Sequence, residues 1–229
     1  MSTREGPAGE GAFDLDDIDV AFDDEELDAD WDAERAEAAE VLRKALPEIR
    51  QLPIPHAAVR DAAAALRPLL ARGGWTHSSM RVAAGWTPKR LPKDDLELWL
   101  GAAGGLIEPR DETGMDVEEE SALMALEVPD WLGAVLGLVR AGVGAPAEPE
   151  DLLRYVDQCP EFEGERDADD DPVLLLAFEL VLPAWEAAGV IDSDRRLTEL
   201  GRWGLPRALV WAWGEDFDAP GSAAEGDAQ

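Results

Sequence analysis

Apolar residues recur at helical spacing along most of the chain. Ala38, Val41, Leu42, Ala45 and Ile49 share one face of a helix expected over 33–49, which Leu52-Pro53-Ile54-Pro55 ends. Val59, Ala62, Ala63, Leu66, Leu69 and Leu70 mark a second helix from His56 to Ala71, closed by Gly73-Gly74. Pro88 and Pro92 exclude a long helix between Trp75 and Pro92. Asp94 then reads as the N-cap of a helix through Leu96, Leu98, Trp99 and Leu100 to Gly104-Gly105. Further helices are expected over 117–126, 130–141, 150–156, 172–189 and 201–213. Two short hairpins complete the pattern. One pairs Leu106-Ile107 with residues 115–117, and the other pairs Val190-Ile191 with residues 196–198 around Asp192-Ser193-Asp194.

Two stretches echo each other: Trp99-Leu100-Gly101-Ala102-Ala103-Gly104-Gly105-Leu106-Ile107-Glu108 and Trp185-Glu186-Ala187-Ala188-Gly189-Val190-Ile191-Asp192. Each reads as a helix whose small alanines allow a close neighbour, then a glycine cap, then an apolar pair entering a turn. Such an echo implies one structural unit used twice.

The second copy resembles the end of a winged-helix domain. Ala188-Gly189-Val190-Ile191, followed by Arg196-Leu197-Thr198-Glu199-Leu200-Gly201-Arg202, matches that superfamily's third helix, β-hairpin wing and Leu-Thr-x-x-Gly return strand. The resemblance covers roughly residues 130–214. The tract Leu197 to Leu209 is also similar to actinobacterial proteins with no assigned activity. Residues 52–128 resemble a winged helix more weakly, since they lack the Leu-Thr-x-x-Gly signature. The resemblance implies a mostly α fold of tandem winged-helix-like domains with short β-hairpins. The corresponding division is an acidic disordered tail (1–38), a helical domain that is a degenerate winged helix (39–128), a winged-helix-like domain (129–214) and an acidic flexible tail (215–229).

Charge changes what this fold would be expected to do. The 229 residues hold 51 acids against 20 Lys and Arg, a net charge of −31. A surface this negative repels phosphate. Residues 1–40 alone hold sixteen acids and two bases. There Phe13, Leu15, Ile18, Val20, Phe22, Leu27 and Trp31 alternate with acids, a pattern suited either to docking on a partner or to solubilising the chain. The winged-helix resemblance implies a third helix lying in the DNA major groove. Residues 172–189, however, contain no Arg, Lys, Asn or Gln, and their approach from Glu161 to Asp171 is acidic. Only Arg195 and Arg196 stand ready for a phosphate there.

One window opposes the trend. No acid occurs from Ala62 to Lys93, which holds Arg67, Arg72, Trp75, His77, Arg81, Trp86, Lys89, Arg90 and Lys93. Cations interleaved with aromatics are the composition of a nucleic-acid surface. The same residues also suit core tryptophans beside arginines that neutralise the chain's own acids.

Little in the sequence suggests catalysis. His56 and His77 lack zinc-ligand spacing, no phosphate-binding glycine loop is present, and Cys159-Pro160 reads as a structural thiol. Asp167, Asp169 and Asp171 alternate like a calcium loop but lack its glycine and terminal glutamate. No catalytic, cofactor-binding or metal-binding residue is assigned. The N-terminus lacks a secretory pattern, and the longest uncharged apolar run, Trp131 to Val139, is too short to span a bilayer, so a cytoplasmic protein without membrane contact is expected. Trp211 and Trp213 flank Ala212 and cannot share one helix face. The function expected is therefore a non-enzymatic interaction or regulatory protein, with Phe13, Ile18, Phe22, Trp31, Trp211 and Trp213 as candidate partner contacts. The alternative is a DNA-binding transcriptional regulator that uses the window 67–93.

Overall fold

A computed structural model describes residues 24–71, 90–104, 117–161 and 170–218. Among these residues the protein is mostly α-helical. The helices are α1 (Asp24–Ala45), α2 (Pro47–Arg50), α3 (His56–Leu70), α4 (Asp95–Gly104), α5 (Val117–Met124), α6 (Val128–Ala141), α7 (Pro149–Asp157), α8 (Asp171–Ala187) and α9 (Glu199–Ala212). No described helix is long and apolar enough to cross a membrane.

Local chemistry sets most helix boundaries. Asp94 caps α4, accepting the Glu97 N–H at 2.9 Å. Asp130 reaches back to the Glu127 N–H at 3.0 Å, and Pro129 fits the first turn of α6, where no amide donor is needed. Thr198 caps α9 by accepting from the Gly201 N–H at 2.9 Å, while its hydroxyl donates to the Gly189 carbonyl at 2.6 Å. Gly189 ends the α8 connection at φ +71°, a backbone conformation that suits glycine.

The hairpin expected over 190–198 is not seen as a pair of strands. Among the described residues only isolated antiparallel bridges occur there, Ile191 with Leu197 and Pro146 with Arg196. The Asp192 carboxylate folds the turn tightly, accepting from the N–H groups of Asp194 (2.9 Å) and Arg196 (3.0 Å). Each arm is then only two or three residues long. The return arm donates from the Thr198 N–H to the Val190 carbonyl at 3.0 Å and from the Leu197 N–H to the Ala145 carbonyl at 2.9 Å. The hairpin expected near 106–117 falls on residues outside those described, apart from Val117.

Among the described residues, parts of both charged segments are built into the fold. Helix α1 begins at Asp24, inside the stretch read as a disordered tail, because Ala38, Ala39 and Leu42 are buried and give it a seat on the core. Residues 215–218, read as part of a flexible tail, pack against the body, and Phe217 is buried.

The buried apolar side chains form one connected cluster that runs from Ala38 to Phe217. It includes Leu42, Leu66, Leu98, Trp99, Leu132, Phe178 and Trp185, and no break in it falls at residue 128. Helix α4, in the first echoed stretch, packs closely on α9 and touches the second stretch through Ala188. Trp99 lies over Gly204, donates its indole N–H to the Ala188 carbonyl at 2.8 Å, and faces Trp203 with ring centroids 6.1 Å apart. In the same contact a Cβ at Gly104 would run into the carbonyl oxygen of Ala208. Glycine on each helix thus lets the two backbones approach. Gly133 and Gly137 do the same for α6 against Val156 and Tyr155 of α7.

Replacing Gly204 with Val is expected to destabilise the fold by about 3 kcal/mol, since the fully buried Trp99 ring has no room to retreat. Urea unfolding checks this. A loss below about 1 kcal/mol would show that the contact yields more easily than a packed core does.

Candidate functional site

No group of three or more His, Cys, Asp or Glu side chains converges as a metal site among the described residues. Asp167 and Asp169 lie outside the described residues. His56 is exposed at the start of α3. Cys159 is buried and its thiol donates to Glu161 Oε2 at 3.3 Å. Arg140 forks onto that same carboxylate. Burial pushes the Cys159 thiol up to about 11, so it stays protonated near neutral pH. The Arg140 hydrogen bonds hold the Glu161 carboxyl below the usual carboxylate range.

The basic window is only partly in view. Arg72, Trp75, His77, Arg81, Trp86 and Lys89 lie outside the described residues. Arg90 and Lys93 are exposed. Arg67 donates to the carbonyls of Pro92 (2.7 Å) and Lys93 (3.0 Å) and to Asp95 (2.7 Å), fastening the end of α3 to the start of α4. Arg195, one of the cations expected to face a phosphate, forks onto Glu179 (2.8 and 2.7 Å) and reaches Glu148 (2.7 Å). It sits at φ +52°, in the left-handed region. Arg196 donates to the Gly144 carbonyl at 2.9 Å.

Of the candidate partner contacts, Phe13, Ile18 and Phe22 lie outside the described residues. Trp31 is 48 % exposed on α1. Residues 31–34, 36 and 37 of that helix are all exposed, and burial begins at Ala38. Trp213 is buried, whereas Trp211 is only partly covered.

The densest polar assembly was not anticipated from the sequence. Arg207 of α9 is buried between two rings, its guanidinium carbon 4.6 Å from the Trp203 centroid and 5.0 Å from that of Phe217. It forks onto the Asp218 carboxylate (2.9 and 2.8 Å) and donates to the carbonyls of Trp203 and Ile49. Arg43 of α1, also buried, holds the Asp216 carbonyl (2.8 Å) and the Glu215 carboxylate (3.1 Å). Arg50 reaches the Asp218 carbonyl at 3.4 Å. The segment Glu215-Asp216-Phe217-Asp218 is thus a strap across α1, α2 and α9. Beside it opens a cavity of about 430 Å³ lined by Pro47, Arg50, Gln51, Leu52, Ile54, Arg207 and Asp218. Leu52 and Ile54 are partly exposed at its rim.

Phe217→Ala is expected to lower stability by up to about 3 kcal/mol in urea unfolding, limited by the cost of releasing the strap alone. Asp218→Asn, half exposed, is expected to cost about 1 kcal/mol; equal stability of both variants and the native chain would mean that the strap is not docked. Cys159 in the folded chain at pH 8 is expected to alkylate at least about 100-fold more slowly than in urea. The Glu161–Arg140 pair contributes its full stability above the ordinary carboxylate range. That contribution is lost as pH falls through the depressed folded value, so an acid titration of Glu161→Gln should lack this step.

Compared with known proteins, the chain matches no family model, no curated protein and no solved structure.

Proposed function

We propose that the protein is a non-enzymatic interaction or regulatory protein that docks on a basic protein partner through its acidic N-terminal segment and the first half of α1. The observation that carries this reading is the exposed, acid-rich face around Trp31. From Asp24 to Ala45 the helix holds nine acids against three bases. Its seat on the core uses only residues from Ala38 onward among those described. An exposed tryptophan in an acidic helix offers a large apolar anchor ringed by charge, and a cationic surface would complement it.

The fate of the arginines favours a protein partner over duplex DNA. Arg67, Arg140, Arg195 and Arg207 are committed to the chain's own carboxylates, and Arg196 to a carbonyl. Cations held in this way release few counterions from a phosphate backbone. We read residues 129–214 as a winged-helix-like module whose wing is reduced to bridges. The order α6, bridge segment 144–147, α7, α8, turn at 190–198 and α9 supports that reading. The Trp99-to-Gly104 echo supports a degenerate first copy before it.

Binding of a fluorescent arginine-rich peptide to the full chain tests the docking face. Trp31→Ala is expected to weaken binding about five-fold, and removal of residues 1–38 to abolish it. Unchanged affinity in both variants would overturn the reading. So would tight, salt-dependent binding of duplex DNA by the full chain at low ionic strength.

A further inference from the structure

In the strap, the Arg207 cleft holds a phenylalanine followed by an aspartate. The Phe217 ring covers one face of the guanidinium, and the Asp218 carboxylate takes its fork. A planar cation clamped between rings and a carboxylate reads both features of that dipeptide at once. Arg43 holds the Asp216 carbonyl and the Glu215 carboxylate just before the dipeptide, and Arg50 reaches the carbonyl of Asp218 itself.

The same dipeptide occurs twice near the other end of the chain, as Phe13-Asp14 and Phe22-Asp23. Both are preceded by alanine and followed by further acids or leucine. Asp follows three of the five phenylalanines, so the chain carries two spare ligands for its own cleft. The geometry makes Phe22-Asp23 a ligand for another molecule. Helix α1 starts at Asp24, the residue after this dipeptide, and bears Arg43 near its far end, so about 30 Å of helix lies between Asp24 and the Arg43 side of the cleft in the same chain. A second copy has no such restriction.

We propose that the Arg207 cleft is a Phe-Asp receptor, held in the isolated chain by Phe217-Asp218, and that Phe22-Asp23 of a second copy is its partner ligand when the strap lets go. The cavity lined by Leu52, Ile54 and Arg50 lies next to the Asp218 position and leaves room for the residues that flank an incoming dipeptide. In the closed chain the strap competes at the high effective concentration of a tethered ligand, which keeps self-association weak.

The test uses a fluorescent synthetic peptide of residues 15–28 and the full chain. Peptide affinity, read by anisotropy, is expected to be at least about ten-fold higher for the Phe217→Ala/Asp218→Ala chain than for the native chain. A peptide with Phe22→Ala is expected to lose that gain. By light scattering, the strap variant is expected to gain mass with concentration, and adding Phe22→Ala/Asp23→Ala is expected to restore the native mass. If the double strap variant loses its helical circular dichroism, Asp218→Asn takes its place, with a gain of about three-fold expected. Equal peptide affinity for strap variant and native chain overturns the proposal. So does a mass increase that persists without Phe22 and Asp23.

Discussion

The structure depends on the close approach of α4 and α9. Two helices meet this tightly only where one side or the other carries no side chain, and here glycine occurs on both: Gly104 under the Ala208 carbonyl and Gly204 under the Trp99 ring. The largest side chain available then fills the space that the smallest leaves. Trp99 also satisfies its one polar atom by donating to Ala188, at the end of α8. One residue therefore ties the first echoed stretch to the cap of the second. Remove the fit and the core that runs from Ala38 to Phe217 loses its joint.

The charge follows a similar economy. A chain with 51 acids and 20 bases has few cations, and the structure places several of them where they hold distant segments together. Arg67 closes α3 onto α4, Arg195 links Glu148 before α7 with Glu179 on α8, and Arg43 and Arg207 fasten the strap. Arg43 and Arg207 are buried and hydrogen-bonded along most of their donors, so losing either would leave polar groups stranded. Among the described residues most of the other acids are exposed and set the sign of that surface. This division of labour supports the proposed protein partner of opposite charge over a nucleic acid.

The helices were legible because their signals are local. Asp94 before Leu96 and Leu98, Pro129 before Trp131, and the left-handed Gly189 after Ala188 each act within one turn. The split between Trp211 and Trp213 followed from helical geometry alone. Other features depend on partners far away in the chain. The charge of residues 24–38 argues for disorder, but the seat that orders α1 is built by the core that Ala38, Ala39 and Leu42 meet. The wing sequence suggested strands, yet the Asp192 turn leaves arms too short for more than single bridges. The Arg207 cleft draws Arg43, Arg50 and Asp218 from opposite ends of the chain, so no spacing could reveal it. The only local hint was the repeated Phe-Asp pair.

The central claim is that both echoed stretches belong to one cooperative core joined through Trp99. Native-state hydrogen exchange across a denaturant series measures this directly. The amides of α4 and those of α8 and α9 are predicted to converge on the same opening free energy and to respond to denaturant with the same slope. Exchange of α3 and α4 at a distinctly lower free energy, while α6 to α9 stay protected, would mean two independent units and would contradict the account.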